Sequence, residues 1–137
     1  MKNRTLNYPS LNTDIGTLLL RLIFGGMFIY FGYGKLSNYD TMLGMMGDPI
    51  GIGSKLSLIL VIFGEFFCGI FIAIGFLTRI FVIPTFITMV VAYFVVHAND
   101  PFMVKQSAFV YMMLCLSVFV LGSGKFSLDR LIFKRKI

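Results

Sequence analysis

Four long apolar blocks dominate this chain of 137 residues and leave little choice of fold. They lie at about 15–34, 55–77, 80–96 and 103–121. A helix that crosses a bilayer needs about 20 predominantly apolar residues, so each block is long enough or nearly so. Only 13% of the chain is charged, against about 25% in an average soluble protein. The pattern predicts one all-α domain, an integral membrane four-helix bundle with up-down-up-down order.

The basic residues other than Arg21 predict the orientation of this bundle. Eight of them would lie on one side and three on the other. By the positive-inside rule, the richer side, which carries both termini, is cytoplasmic. The larger group is Lys2, Arg4, Arg79, Lys125, Arg130, Lys134, Arg135 and Lys136, and the smaller is Lys35, Lys55 and Lys105. Residues 123–137 form a basic tail suited to anionic lipid, and nucleic acid is not expected as a partner.

Residues 36–54 form the longest connection, on the predicted outer side. Asp40 can start a short interfacial helix there, and Gly47 can end it. Its methionines, Met42, Met45 and Met46, fit an amphipathic lid better than a Cu(I) site, which needs more convergent soft ligands. Cys68 and Cys115 lie inside apolar blocks, as small buried side chains do. No haem or transition-metal site is expected.

Glu65 lies near the middle of the second block, where a carboxylate costs roughly 2.5–3.5 kcal/mol on insertion scales. Such a residue should face protein or trapped water and have a partner. Gly69 and Ala73 share its helical face, so Glu65 should point at a closely packed neighbour. From depth along the helices, Arg21 is the preferred partner; Arg79 is a second candidate, and Lys35 fits less well.

Two interpretations of Glu65 stay open. It can form a structural ion pair, or it can line a cavity open to the outer face, bordered by Lys35, Tyr93, His97 and Tyr111. Such a cavity could bind a polar head group or pass protons, because histidine titrates near neutrality. The candidate site is therefore Glu65, Arg21, Lys35, Arg79, His97, Tyr93 and Tyr111, with no catalytic residue assigned.

Several short motifs in fixed order resemble the DoxX family of small four-helix bacterial membrane proteins. They are Leu20-Arg21-Leu22, Gly32-Tyr33-Gly34-Lys35-Leu36, Gly64-Glu65, Gly75-Phe76-Leu77-Thr78-Arg79, the His97 turn and Gly122-Ser-Gly-Lys-Phe-Ser-Leu-Asp129. The resemblance implies a multi-pass protein of the bacterial inner membrane. It also implies that Arg21, Lys35, Glu65, Arg79 and His97 occupy the family's polar positions. Many members have a histidine where this chain has Phe31, which puts redox activity in question.

The resemblance implies a non-catalytic or quinone-linked subunit of a membrane redox or oxidative-stress complex, with quinone as its ligand. One alternative is a module that binds a lipid or small amphiphile, or assembles a partner membrane protein. Another is an oligomeric transport subunit. Partners expected on these interpretations are the bilayer, other proteins or further copies of the chain. We expect a subunit or binding module rather than a stand-alone enzyme.

Overall fold

The computed structural model describes residues 12–133, and all regular structure in that range is helical. Four helices are long and apolar enough to cross a membrane, which confirms the predicted all-α four-helix architecture. Two short helices accompany them. In chain order the helices are α1 (Thr13–Ser37), α2 (Tyr39–Met46), α3 (Ser54–Ile74), α4 (Thr78–Val96), α5 (Phe102–Leu121) and α6 (Leu128–Phe133).

Glycine geometry explains why the spanning helices end where they do. The predicted second span continued to residue 77, but α3 ends at Ile74 because Gly75 adopts a left-handed conformation with φ 76°. Leu77 is also left-handed, with φ 45°, and α4 starts at the next residue. This tight turn makes α3 and α4 antiparallel neighbours. In contrast, α1 extends to Ser37 with Lys35 in its last turn, where a cation interacts favourably with the helix dipole.

The four long helices form a closed bundle in which each packs on its neighbours in chain order and α5 returns to α1. The closest contact is between α1 and α3. A Cβ added to Gly25 would lie 2.7 Å from the Gly69 carbonyl oxygen, and one added to Gly32 would lie 2.6 Å from the Phe66 nitrogen. The two backbones therefore touch at two levels, and these contacts fix the register of α1 against α3.

A cluster of buried apolar side chains fills the middle of the bundle. Its members are Phe24, Phe28, Ile72, Val82, Met89, Met112, Cys115 and Val118. Cys68 and Cys115 are both buried free thiols, as predicted. Large apolar side chains such as Ile23, Ile87 and Leu116 point outward, which suits a lipid environment.

The two ends of the bundle differ. We call the end with the α1 start, the α3–α4 turn and residues 122–133 the basic end, and the end with α2 and the α4–α5 turn the loop end. Helix α2 occupies the loop where the sequence predicts a short helix, and Gly47 ends it with φ 67°. Its interfacial position and the cytoplasmic orientation of the termini stay predictions. The predicted cations Lys2, Arg4, Lys134, Arg135 and Lys136 lie outside the described residues.

Candidate functional site

Glu65 forms an ion pair with Lys35 inside the bundle. Lys35 Nζ donates to Glu65 Oε2 over 2.7 Å. Glu65 is only 4% exposed, whereas the Lys35 side chain is 24% exposed. A buried carboxylate is therefore matched by a cation that still reaches the surface near the loop end. The Lys35 side chain is thus in part uncovered while its ammonium group contacts the buried carboxylate.

A π-helical turn holds Glu65. The turn covers Phe63–Phe67 in the middle of α3, and single π-turns within α-helices are frequent at functional sites. The neighbouring Gly64 carbonyl accepts a hydrogen bond from Thr85 Oγ1 of α4 over 2.6 Å. Thr85 is fully buried, so this bond ties the irregular turn to α4. The turn thus presents the carboxylate on the α1 side while its backbone is supported from the other side.

The predicted pairing of Glu65 with Arg21 is wrong. The depth prediction counted from Ile15 and Leu77 as if these two residues lay at one level, but the Arg21 guanidinium already lies beside Gly75, just past the end of α3. The glycine contacts decide the register instead. Gly32 lies against Phe66, so Lys35, one helical turn further along α1, is at the level of Glu65. Arg21 lies near Gly75, at the opposite end of α3.

Arg21 is buried at the basic end and is 1% exposed. Its Nη2 donates to the Phe126 carbonyl oxygen over 2.5 Å. Within residues 12–133 its Nε and Nη1 have no hydrogen-bond partner. The guanidinium lies against Gly75, where any side chain would collide with it. Arg21 therefore joins α1 to the segment that follows α5, rather than to Glu65.

The sequence interpretation did not single out Asp129 as a site residue, yet it organises the basic end. Both carboxylate oxygens of Asp129 accept from the backbone N–H of Leu77, over 2.9 and 3.0 Å. Ser123 Oγ donates to Asp129 over 2.6 Å and accepts from the hydroxyl of Thr78 over 2.7 Å, because a hydroxyl group has a single proton to donate. These bonds link the α3–α4 turn to residues 122–133. In the sequence, the motifs Gly75–Arg79 and Gly122–Asp129 were the only hint of this network, because residues of the two motifs bind each other here.

Arg79 was a second candidate partner for Glu65, and it lies instead at the end of α5. Its Nε donates to the Phe119 carbonyl over 2.8 Å, and its Nη2 donates to the Val120 carbonyl over 3.1 Å. The last carbonyls of a helix lack partners within the helix, and a cation there also interacts favourably with the helix dipole. Arg79 therefore caps α5 at the basic end.

His97 and Tyr93 lie at the loop end, near the end of α4. His97 Nδ1 is 2.7 Å from Asp100 Oδ2, and both side chains are exposed. Tyr93 belongs to a second π-helical turn, Ala92–Val96, and Lys105 Nζ lies 4.5 Å from the centre of its ring. The structure thus places both residues in local contacts of the α4–α5 turn.

Tyr111 belongs to an aromatic cluster between α1 and α5. Its ring centre lies 5.1 Å from that of Phe28 and 5.5 Å from that of Phe31, both in edge-on geometry. Phe31 is therefore a packing partner of α5. Of the seven predicted site residues, the structure brings Lys35 and Glu65 together as a pair. The other five take part in separate contacts elsewhere in the bundle.

An apolar groove opens between α1 and α5 beside this cluster. Its volume is about 350 Å³. Leu20, Ile23 and Leu114 contribute apolar surface, and Ser107 and Tyr111 contribute hydroxyl groups.

Ser57, like Asp129, is a polar residue that the sequence did not indicate. It is buried in α3, and its hydroxyl group has no hydrogen-bond partner among the described residues.

The profile of the DoxX family matches residues 16–98 of the chain. This range includes Arg21, Lys35, Glu65 and Arg79. No solved structure matches the chain.

Two curated relatives cover nearly the whole chain. A protein named Putative oxidoreductase CatD, from Bacillus subtilis (strain 168), is 31% identical over 125 residues, which are 90% of this chain and 91% of the relative. A protein named Inner membrane protein YqjF, from Escherichia coli (strain K12), is 31% identical over 129 residues, or 89% of this chain and 95% of the relative. The four spanning helices and the inner-membrane relative confirm the predicted location. The chain is thus a multi-pass inner-membrane protein and belongs to the DoxX family.

Proposed function

We propose that this protein is the quinone-binding membrane subunit of a redox complex, and that the quinone head group binds at the Lys35–Glu65 pair. The observation that carries the proposal is the asymmetry of the pair. Glu65 is buried, and Lys35 reaches the surface. An ammonium group has three N–H donors, and the pair uses one of them. Lys35 can therefore hold Glu65 and still donate to the carbonyl oxygen of a ligand that enters from the loop end.

The chemistry of the pair suits this role. Reduction of a quinone to a quinol consumes two electrons and two protons, and both carbonyl oxygens become hydroxyl groups. In the proposal the electrons come from a redox-active partner protein. Lys35 orients one carbonyl oxygen and passes a proton to it, and water at the exposed side of Lys35 replaces that proton. Water also supplies the second proton, to the other carbonyl oxygen. One relative is named a putative oxidoreductase, which supports a redox role.

A photoreactive azidoquinone tests the binding site. The protein would be reconstituted in phosphatidylcholine vesicles and labelled, and the labelled peptides would be found by mass spectrometry. We expect labelling of α1 or α3 near the pair, suppressed by an excess of plain quinone. The double variant Lys35→Met/Glu65→Gln removes both charges together and should bind about tenfold more weakly, the effect of losing one charge-assisted hydrogen bond. Lys55→Met, an exposed lysine at the same end, is the control.

The proposal fails if the double variant is labelled as strongly as the wild type. The subunit role has a separate test, which is chemical cross-linking in native membranes followed by mild solubilisation. We expect a cross-linked protein that carries a redox cofactor. Recovery of the chain alone would contradict the role as a subunit.

A second candidate is a module that binds a small amphiphile without redox chemistry. The groove between α1 and α5 favours it, because its walls are apolar and its polar groups are few, as in ligand sites generally. Labelling of α5 near Tyr111, rather than of α3, would support this alternative. The transport alternative requires several copies around a common path, and it stays a prediction.

A further inference from the structure

A second groove, unrelated to the Lys35–Glu65 pair, lies at the basic end. Its volume is about 490 Å³. It runs between the last residue of α3 and the segment that follows α5. The lining residues are Ile74, Lys125, Phe126, Ser127, Leu128 and Leu131.

The groove has an apolar side and a charged end. Ile74, Phe126 and Leu131 leave large parts of their side chains uncovered, and Leu131 is 72% exposed. Lys125 lies at the same groove and is exposed. Ile132 and Phe133 extend the apolar surface of α6. A short helix with exposed apolar residues beside basic residues suits the boundary between acyl chains and head groups.

Two opposite charges, Arg21 and Asp129, lie behind the groove wall. The buried guanidinium of Arg21 donates to the carbonyl of Phe126, which forms part of the wall. Its Nε and Nη1 are buried and have no partner among residues 12–133. The nearby carboxylate of Asp129 accepts from Leu77 and Ser123. The groove therefore combines apolar walls, an exposed ammonium group and a buried cation behind Phe126.

We propose that this groove binds an anionic phospholipid. Its acyl chain lies against Ile74, Leu128 and Leu131, and its phosphate lies at Lys125. Charge complementarity selects the occupant, since a basic pocket beside membrane helices attracts anionic head groups. Arg21 does not touch the lipid, and Asp129 lies near it with the opposite charge, so the exposed ammonium group of Lys125 is the charge that selects the head group.

Native mass spectrometry tests this assignment. The detergent-solubilised protein would be mixed with equal amounts of dioleoyl phosphatidylglycerol and dioleoyl phosphatidylcholine, which share their acyl chains. We expect about fivefold more adduct with phosphatidylglycerol, the effect of one lysine near an anionic head group. Lys125→Gln should abolish this preference, and Lys55→Gln, at the loop end, should leave it unchanged. Leu131→Gln should weaken the binding of both lipids, because it replaces an apolar side chain in the wall of the groove.

Three outcomes would overturn the assignment. The first is equal binding of the two lipids by the wild type. The second is a preference that survives Lys125→Gln, which would show that the net positive charge of the chain is responsible. The third is displacement of phosphatidylglycerol by millimolar inorganic phosphate, which would indicate a site for a free anion. None of these outcomes bears on quinone labelling near Glu65, so the two proposals fail independently.

Discussion

Lys35 and Arg21 lie on the same helix and are both enclosed by the bundle, but the protein accommodates them in different ways. Lys35 pairs with a carboxylate of α3. Arg21, 14 residues earlier, donates to a backbone carbonyl, and two of its nitrogens have no hydrogen-bond partner among residues 12–133. The difference teaches that a buried cation in a membrane bundle does not by itself identify its partner. The partner is whatever the packing of the helices brings to the same level.

The two regions also differ in how they reach water. Lys35 is at the loop end with part of its side chain exposed, so the ion pair has an open side. Arg21 is closed in by Gly75, Phe126 and the rest of the basic end. The first region can exchange a ligand or a proton with the surroundings. The second has the contacts expected of a structural joint between α1 and residues 122–133.

Breaking the Lys35–Glu65 pair from the lysine side should have the largest effect on stability. Lys35→Met leaves the buried Glu65 without a cation and should lower the free energy of unfolding by about 3 kcal/mol, since an uncompensated buried charge is costly. Glu65→Gln should cost less, about 1 kcal/mol, because Lys35 can turn toward water. Thermal unfolding in detergent can be followed with a thiol-reactive dye that labels the buried Cys68 and Cys115 on exposure.

The matched control for this pair is Lys55→Met, which should leave the unfolding temperature nearly unchanged. The double variant Lys35→Met/Glu65→Gln should recover most of the loss caused by Lys35→Met alone, because the two residues are coupled. Additive effects of the two substitutions would contradict a direct ion pair.

Gly75→Ala should have an intermediate effect at the basic end, a loss of about 2 kcal/mol. Alanine is strained at φ 76°, and its Cβ would collide with the Arg21 guanidinium. The same measurement of unfolding applies. Gly34→Ala is the control, because a Cβ there meets nothing within 4 Å and alanine favours the helix by about 0.5–1 kcal/mol. Equal behaviour of the two variants would contradict the close packing of Arg21 on Gly75.

Arg21→Met should have the smallest effect, a change within about 1 kcal/mol in either direction. The substitution removes one hydrogen bond, but it also removes a buried cation, two nitrogens of which have no partner in the described part of the chain. The informative measurement is the difference between Arg21→Met and Lys35→Met in the same unfolding assay. A loss from Arg21→Met as large as that from Lys35→Met would show that Arg21 has an anionic partner in the membrane.

Much of the fold could be predicted from local properties of the chain. The lengths of the apolar blocks predicted four spanning helices, and the spacing of Gly69 and Ala73 predicted a close approach on the Glu65 face. Span ends were less accurate, because helix termination depends on single residues. The left-handed conformation of Gly75 ends α3 three residues before the predicted boundary.

The candidate site was predictable in its elements but not in its contacts. That Glu65 needs a partner follows from the cost of a carboxylate in an apolar segment. Which cation supplies it depends on how α1 slides along α3, and a shift of about four turns changes the answer from Lys35 to Arg21. The role of Asp129 could not be predicted either, because it depends on a contact with Leu77, 52 residues away along the chain.

The sequence by itself therefore determined the class of protein, the number of spanning helices and the need to neutralise Glu65. These follow from composition and from the cost of burying charge, which act along one segment at a time. Only the tertiary structure decided that Lys35 meets Glu65, that Arg21 meets Phe126 and that Tyr111 joins an aromatic cluster. Those pairings depend on helix register, and register is set by backbone contacts at Gly25 and Gly32 that no single segment contains.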